Sequence, residues 1–209
     1  VTSKENINTP QLFGLVLAGG KSLRMGFDKS VIQWHGAEQR YYMADLLRQV
    51  CDDVFISCRA EQQNEIDKNH KTLVDNYTGA GPLIGILSAF KEKPAVAWLV
   101  VACDLPLLDL QTLQYLVQNR DINAIATTFK SPFDGLPEPL ITIWEPASHE
   151  KLLAHIADGY TCPRKALIRN EAMVNILTPP DPEKLMNTNT PADAEKVKAI
   201  LSVMRGKIH

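Results

Sequence analysis

The chain has no excess of charge: 22 Lys and Arg stand against 24 Asp and Glu, a formal net charge of -2. That balance removes the electrostatic case for nucleic acid or an anionic membrane surface as partner. No apolar run approaches the length of a membrane span, and the polar opening V-T-S-K-E-N lacks the shape of a signal peptide. Cysteine is scarce, with four residues (Cys51, Cys58, Cys103 and Cys162) and no C-x-x-C pair. Cys51, Cys58 and Cys103 lie in or beside apolar segments, so buried free thiols are expected rather than disulfides or zinc ligands. The compartment read from this usage is the cytoplasm. The five histidines show no metal spacing, and His149 and His155 read as surface residues. Neither a Ser-His-Asp nor a Cys-His arrangement can be argued, and there is no internal repeat. The first residue is Val1, which reads either as a trimmed start or as a piece of a longer polypeptide.

What is present is 209 residues of ordinary globular composition, 45% hydrophobic, enough for one domain with a large core. Residues 1–12 read as a flexible extension and 13–205 as a single domain. Strand and helix signals alternate: strands at 13–18, 53–57, 72–74, 95–103 and 124–128, helices at 37–49, 82–90 and 109–118. The run 95–103, A-V-A-W-L-V-V-A-C, is nearly continuous apolar, as expected of a strand buried on both faces. This order predicts an α/β fold, a mostly parallel sheet covered by helices. From Ser131 the character changes to a turn-rich S-P-F-D-G-L-P-E-P, read as an active-site loop, then a strand at 140–144. Helices at 147–157 and 164–169, a strand at 173–177 and a last helix at 191–204, with Thr190 as N-cap, complete the chain.

In such sheets ligands gather beyond the carboxyl ends of the strands. The first such place is the thirteen-residue string Leu17 to Lys29, L-A-G-G-K-S-L-R-M-G-F-D-K. Gly19 and Gly20 let backbone N–H groups approach a phosphate or base, while Arg24 and Lys29 supply mobile positive charge. The string is neither a P-loop, lacking G-K-[ST] at the required spacing, nor the G-x-G-x-x-G fingerprint. The second place is Asp75 in V-D-N-Y-T-G-A-G-P-L-I-G. A carboxylate accepting from two adjacent N–H donors suits guanine, and Gly79 and Gly81 would leave room for a flat ring; an Asx-type turn is the other reading. The third is Asp104, which ends the most hydrophobic strand, and a divalent cation such as Mg²⁺ would neutralise it there; a turn cap is the alternative. Asn187 and Asn189 share one side of an extended M-N-T-N-T-P and suit phosphates or a heterocycle, or else cap the last helix.

Taken in order, these three segments together with E-P-L-I-T-I-W and N-T-N-T-P-A-D-A-E resemble the molybdenum cofactor guanylyltransferases. These belong to the nucleotidyltransferases with a three-layer α/β/α, Rossmann-like, glycosyltransferase-A-type fold, and the likeness runs from about 13 to 199. The resemblance implies transfer of GMP from GTP to the phosphate of molybdopterin or molybdenum-molybdopterin, with release of pyrophosphate and use of Mg²⁺. It implies backbone contacts to GTP from Leu17, Ala18, Gly19 and Gly20, and phosphate contacts from Lys29 with Arg24 assisting. It further implies Asp75 on the guanine side, Asp104 as Mg²⁺ ligand beside the nucleotide, and Asn187 and Asn189 near the acceptor. A chaperone of molybdoenzymes or a fused partner domain is a further implied partner. One departure stands out. Some relatives end the second strand with base-contacting asparagines, whereas this chain has Ser57-Cys58-Arg59, leaving Ser57 as the contact. Arg164 and Lys165 are open between binding the acceptor's phosphate and a solvated helix start. Two rival functions remain at this stage: a cytidylyltransferase of the same superfamily, and a non-catalytic GTP-binding accessory module.

Overall fold

A-W-L-V-V-A at Ala97–Ala102 is buried at all six positions, which only a central strand covered on both faces permits. Around it the computed structural model describes residues 9–18, 29–79 and 81–206. In chain order these form β1 (Leu12–Leu17), α1 (Gln39–Leu47), β2 (Asp53–Cys58), β3 (Lys71–Val74), α2 (Pro82–Glu92) and β4 (Ala97–Ala102). There follow α3 (Leu110–Gln118), β5 (Ala126–Lys130), β6 (Pro137–Trp144), α4 (Ser148–Ala157), α5 (Pro163–Arg169), β7 (Val174–Leu177) and α6 (Pro191–Gly206). The strands make one seven-stranded sheet in the order β3-β2-β1-β4-β6-β5-β7. All neighbours pair in parallel except β6, which runs antiparallel to both β4 and β5.

Period-two alternation sorts the strand side chains onto two faces. Val16, Ile56, Leu99, Val101 and Ile143 join Met43, Leu47, Leu113 and Leu116 of α1 and α3 in one core. Leu15, Trp98, Val100 and Trp144 join Leu83, Phe90, Leu152 and Leu167 of α2, α4 and α5 in the other. Each such side chain contributes about 1.5–3 kcal/mol on burial, so two full faces hold the sheet as the middle of three layers. A smaller cluster, Trp34 and Leu107 with Val197 and Leu201, seats α6. Thr190 and Asp193 cap α6 reciprocally: Asp193 N–H donates to Thr190 Oγ1 (3.2 Å) and Thr190 N–H to Asp193 Oδ2 (2.9 Å).

Two expectations need correction. Ordered structure takes in part of the stretch read as an extension, since Leu12 opens β1 and the Gln11 carbonyl accepts from Ala97 N–H at 2.9 Å. β6 begins at Pro137, three residues before the expected strand at 140. Pro137 and Pro139 disguise its start, because proline cannot donate to a ladder. The pairing absorbs them through a register shift between Thr128 and Lys130. There the hydroxyls of Thr128 and Thr142 both donate to the Glu138 carbonyl, at 2.6 and 2.5 Å.

Candidate active site

Register brings the three expected places together. Leu17 stands level with Ser57 on β2 and with Ala102 on β4, while Ser57 stands level with Leu73 on β3. The four parallel strands therefore end side by side. The ladder runs on past them: Ala18 N–H donates to the Ser57 carbonyl (3.1 Å), and Asp75 N–H to the Cys58 carbonyl (2.9 Å). Ala18, Ser57, Asp75 and Asp104 thus share the carboxyl edge, the ligand edge of an open α/β sheet. Gly19, Gly20 and Arg24 lie outside the described residues. Lys29 opens a 3-10 turn, Lys29–Val31, and its side chain is likewise outside them.

On the β3 side Ser57 Oγ donates to Asp75 Oδ1 at 2.8 Å. Burial raises the Asp75 pKa, opposed by that hydrogen bond and by the nearby Arg59. Helix α2 closes tightly over the pair. A Cβ at Gly85 would stand 2.7 Å from Ser57 Oγ and 2.8 Å from Leu17 Cδ2, so no side chain fits without displacing one of them. Ser88, one turn on, accepts Asn76 N–H at 2.9 Å and ties the same helix to the end of β3. Gly79 and Gly81 have φ of +136° and +105°, which side-chain-bearing residues rarely adopt, so these glycines serve the backbone of the turn as well as leaving space.

On the other side of β1, Asp104 is half-buried where β4 runs out. Its carbonyl accepts from Thr188 N–H (2.9 Å) and from Thr188 Oγ1 (3.3 Å), fastening the M-N-T-N-T segment to the end of β4. Asp104 and Asn187 line a cavity of about 310 Å³ whose other walls include Glu138, Pro139, Pro163 and Arg164. Asn189 is exposed and does not line it; its N–H donates to Asp193 Oδ2 at 3.1 Å. The paired asparagines therefore divide, one at the cavity and one at the cap of α6. Arg164 donates to Asp134 Oδ2 (2.7 Å) and Glu138 Oε2 (2.9 Å), so its charge is met by two carboxylates. The Leu136 N–H, ahead of other contacts, holds the Asp134 carboxyl below the usual range. Lys165 lies 5.7 Å from the centre of the Tyr160 ring.

Among the described residues no cluster of three or more His, Cys, Asp or Glu could hold a metal by itself. One carboxylate at a strand end fits Mg²⁺ in the manner of nucleotide sites, where substrate oxygens and water complete the shell. Thr188, Glu138 and Gly85 were not singled out by the sequence reading. Glu138 falls within P-E-P-L, whose prolines mask the strand pattern, and Thr188 sits between Asn187 and Asn189, whose amides carry the more evident recognition chemistry. His155 is a correction: it is buried at 3% exposure, with Nε2 3.1 Å from the Cys162 carbonyl, because it faces inward from α4. None of the four cysteines is in a disulfide; Cys58 and Cys103 are buried, Cys51 partly buried and Cys162 exposed. Burial pushes the thiols of Cys51 and Cys58 up to about 12 and about 11, leaving both unreactive. Among the described residues no helix is long and apolar enough to cross a membrane.

The sequence model of the MobA-like NTP transferase domain matches residues 14–174. A molybdenum cofactor biosynthesis bifunctional protein of Synechocystis sp. is 35% identical over 91% of this chain, which spans 54% of that relative's length. A molybdenum cofactor guanylyltransferase of Pseudomonas paraeruginosa is 31% identical, over 85% of this chain and 89% of its own. A solved structure from Archaeoglobus fulgidus, described as molybdopterin-guanine dinucleotide biosynthesis protein A, superposes with a TM-score of 0.75 at 22% identity. It covers 91% of this chain and 98% of its own.

Proposed function

We propose, from the premise that this chain belongs to the MobA-like NTP transferase family, that it transfers GMP from GTP to the phosphate of a molybdopterin acceptor, releasing pyrophosphate. The observation that carries the reading is the order of groups along the carboxyl edge. Asp104, lining a cavity walled by β6, α5 and Asn187, follows β4, while the Ser57–Asp75 pair stands at the ends of β2 and β3 on the other side of β1. A nucleotide on one side and an acceptor on the other would meet at Asp104.

The acceptor phosphate is a nucleophile near neutral pH, so the site requires no dedicated general base. One of its oxygens attacks the α-phosphorus of GTP, the bond to the β-phosphate breaks, and pyrophosphate leaves. What the protein contributes is position and charge compensation for two anions held in line. Asp75 accepts from the guanine N–H donors, and Leu17, Ala18, Gly19 and Gly20 offer backbone groups to the nucleotide. Lys29, helped by Arg24, holds the phosphates, and Asn187 faces the acceptor side, while Asn189, at the cap of α6, does not line the cavity. Asp104 would hold Mg²⁺, which when bound neutralises triphosphate charge and makes the α-phosphorus a better electrophile.

The test is pyrophosphate release measured with each of the four NTPs, with and without molybdopterin and Mg²⁺. Release with GTP that requires acceptor and metal supports the reading. Release with CTP alone overturns the base assignment, and GTP binding with no release under any condition overturns transfer.

A further inference from the structure

Glu138 is 8% exposed, yet it lines the cavity that holds Asp104 and Asn187. A carboxylate so deeply buried needs compensation, and it has an orienting partner: Arg164 donates to Oε2 at 2.9 Å. Its other oxygen, Oε1, has no hydrogen-bond partner among the described residues. The backbone that carries it is fixed as well, since the Thr128 and Thr142 hydroxyls grip its carbonyl at the register shift. Apolar residues Pro139, Leu140 and Pro163 line the same cavity.

The charge on this wall argues against an anion. Arg164 is shared between Asp134 and Glu138, two carboxylates against one guanidinium. A phosphate entering near Arg164 would meet a net negative surface. A flat heterocycle that offers N–H donors would meet complementary chemistry: apolar faces for the ring and an anchored acceptor for its edge.

We infer that Glu138, oriented by Arg164, recognises the 2-amino-4-oxopyrimidine edge of a pteridine ring lodged in this cavity. The acceptor's ring is thereby held away from the nucleotide while its phosphate reaches Asp104. The inference rests on the reading of this cavity as the acceptor's. It gives the molecule two carboxylates for two substrates that share one hydrogen-bonding edge. Asp75 is oriented by Ser57 on the guanine side, and Glu138 by Arg164 on the pteridine side. Arg164 on this view is a positioning residue and not the acceptor's phosphate ligand.

The experiment titrates the full chain, by fluorescence, with 6-hydroxymethylpterin and with 6-hydroxymethyllumazine, in which oxygen replaces the 2-amino group. The wild type is expected to bind the pterin roughly 10- to 100-fold more tightly, the range for hydrogen bonds to a charged group. Glu138→Gln is expected to lose that preference while GTP affinity stays as in the wild type. Equal binding of the two pteridines by the wild type, saturable binding of neither, or a preference kept in Glu138→Gln overturns the inference. The wild-type comparison needs no variant and so decides even if the substitution disturbs folding. Failure of the function itself looks different: a pterin preference that disappears in Glu138→Gln, together with no pyrophosphate release from GTP and molybdopterin, leaves a pteridine site without the proposed transfer.

Discussion

Burying the Asp75 carboxyl works against the fold. Burial raises its pKa above the ordinary carboxylate value even though Ser57 and Arg59 pull it down. Between the unfolded and folded pKa the native state binds more protons than the unfolded chain, so stability falls as pH rises through that window. Asp75→Asn is therefore expected to raise Tm at pH 7, and to gain nothing below the unfolded carboxylate pKa of about 3.9. Its amide would still accept from Ser57 but would oppose one guanine donor, so GTP affinity should fall roughly ten-fold or more. Melting curves across pH, with calorimetric GTP titration, check both halves; undiminished GTP affinity would remove Asp75 from the base site. Asp104→Ala is expected to abolish pyrophosphate release and Lys29→Ala to reduce it severely, and full activity of Asp104→Ala with Mg²⁺ would sink the mechanism. Both aspartates were legible in the sequence because each ends an apolar strand, where a carboxylate needs a reason. Glu138 and Thr188 were not, because what marks them is a partner far off in the chain: Arg164 for one, the Asp104 carbonyl for the other.

Among the elements, α2 bears most directly on the Ser57–Asp75 pair of the proposed nucleotide side. Gly85 lets it descend onto Ser57 and Leu17, and a Cβ there would meet Ser57 Oγ at 2.7 Å, an atom already committed to Asp75. Gly85→Ala should cost about 1–3 kcal/mol of stability as an overpacked contact and should weaken GTP binding by tilting the Ser57–Asp75 pair. Unfolding curves and GTP titration on the same preparation test this; a variant as stable and as tight as wild type would mean the helix shifts freely. The element pattern itself was largely legible. Uninterrupted burial in β4 follows from an uninterrupted apolar run, and Pro82 opens α2 at a position where its missing N–H has no partner to lose. At the start of β6, a register shift and two threonine hydroxyls make tolerable what local propensity forbids.

At the scale of the whole molecule, the candidate site lies at one edge of the sheet and a stabilising clamp at the other. Arg120 and Glu145 form a bidentate pair, at 2.6 and 2.9 Å, with side chains 9% and 1% exposed. Arg120 also donates to the Pro10 carbonyl at 3.0 Å, gathering the chain before β1, the end of α3 and the end of β6. Glu145→Ala would leave a buried guanidinium uncompensated, at a cost of about 3–5 kcal/mol. Tm should drop by several degrees while KM for GTP stays as in wild type, because the pair is remote from the carboxyl edge. A changed KM with unchanged Tm would contradict that division. Residue order and periodicity determined a mostly parallel sheet, and the string from Leu17 to Lys29 placed glycines and cations after its first strand. Those are local properties: apolar runs, glycines and charges carry them wherever the chain goes. Only tertiary structure decided that Ser57 orients Asp75, that Asn187 lines the cavity while Asn189 joins a helix cap, and that Arg164 is spent on two carboxylates. The reason is physical: hydrogen bonds and ion pairs depend on ångström separations between residues tens of positions apart, and sheet register sets those separations.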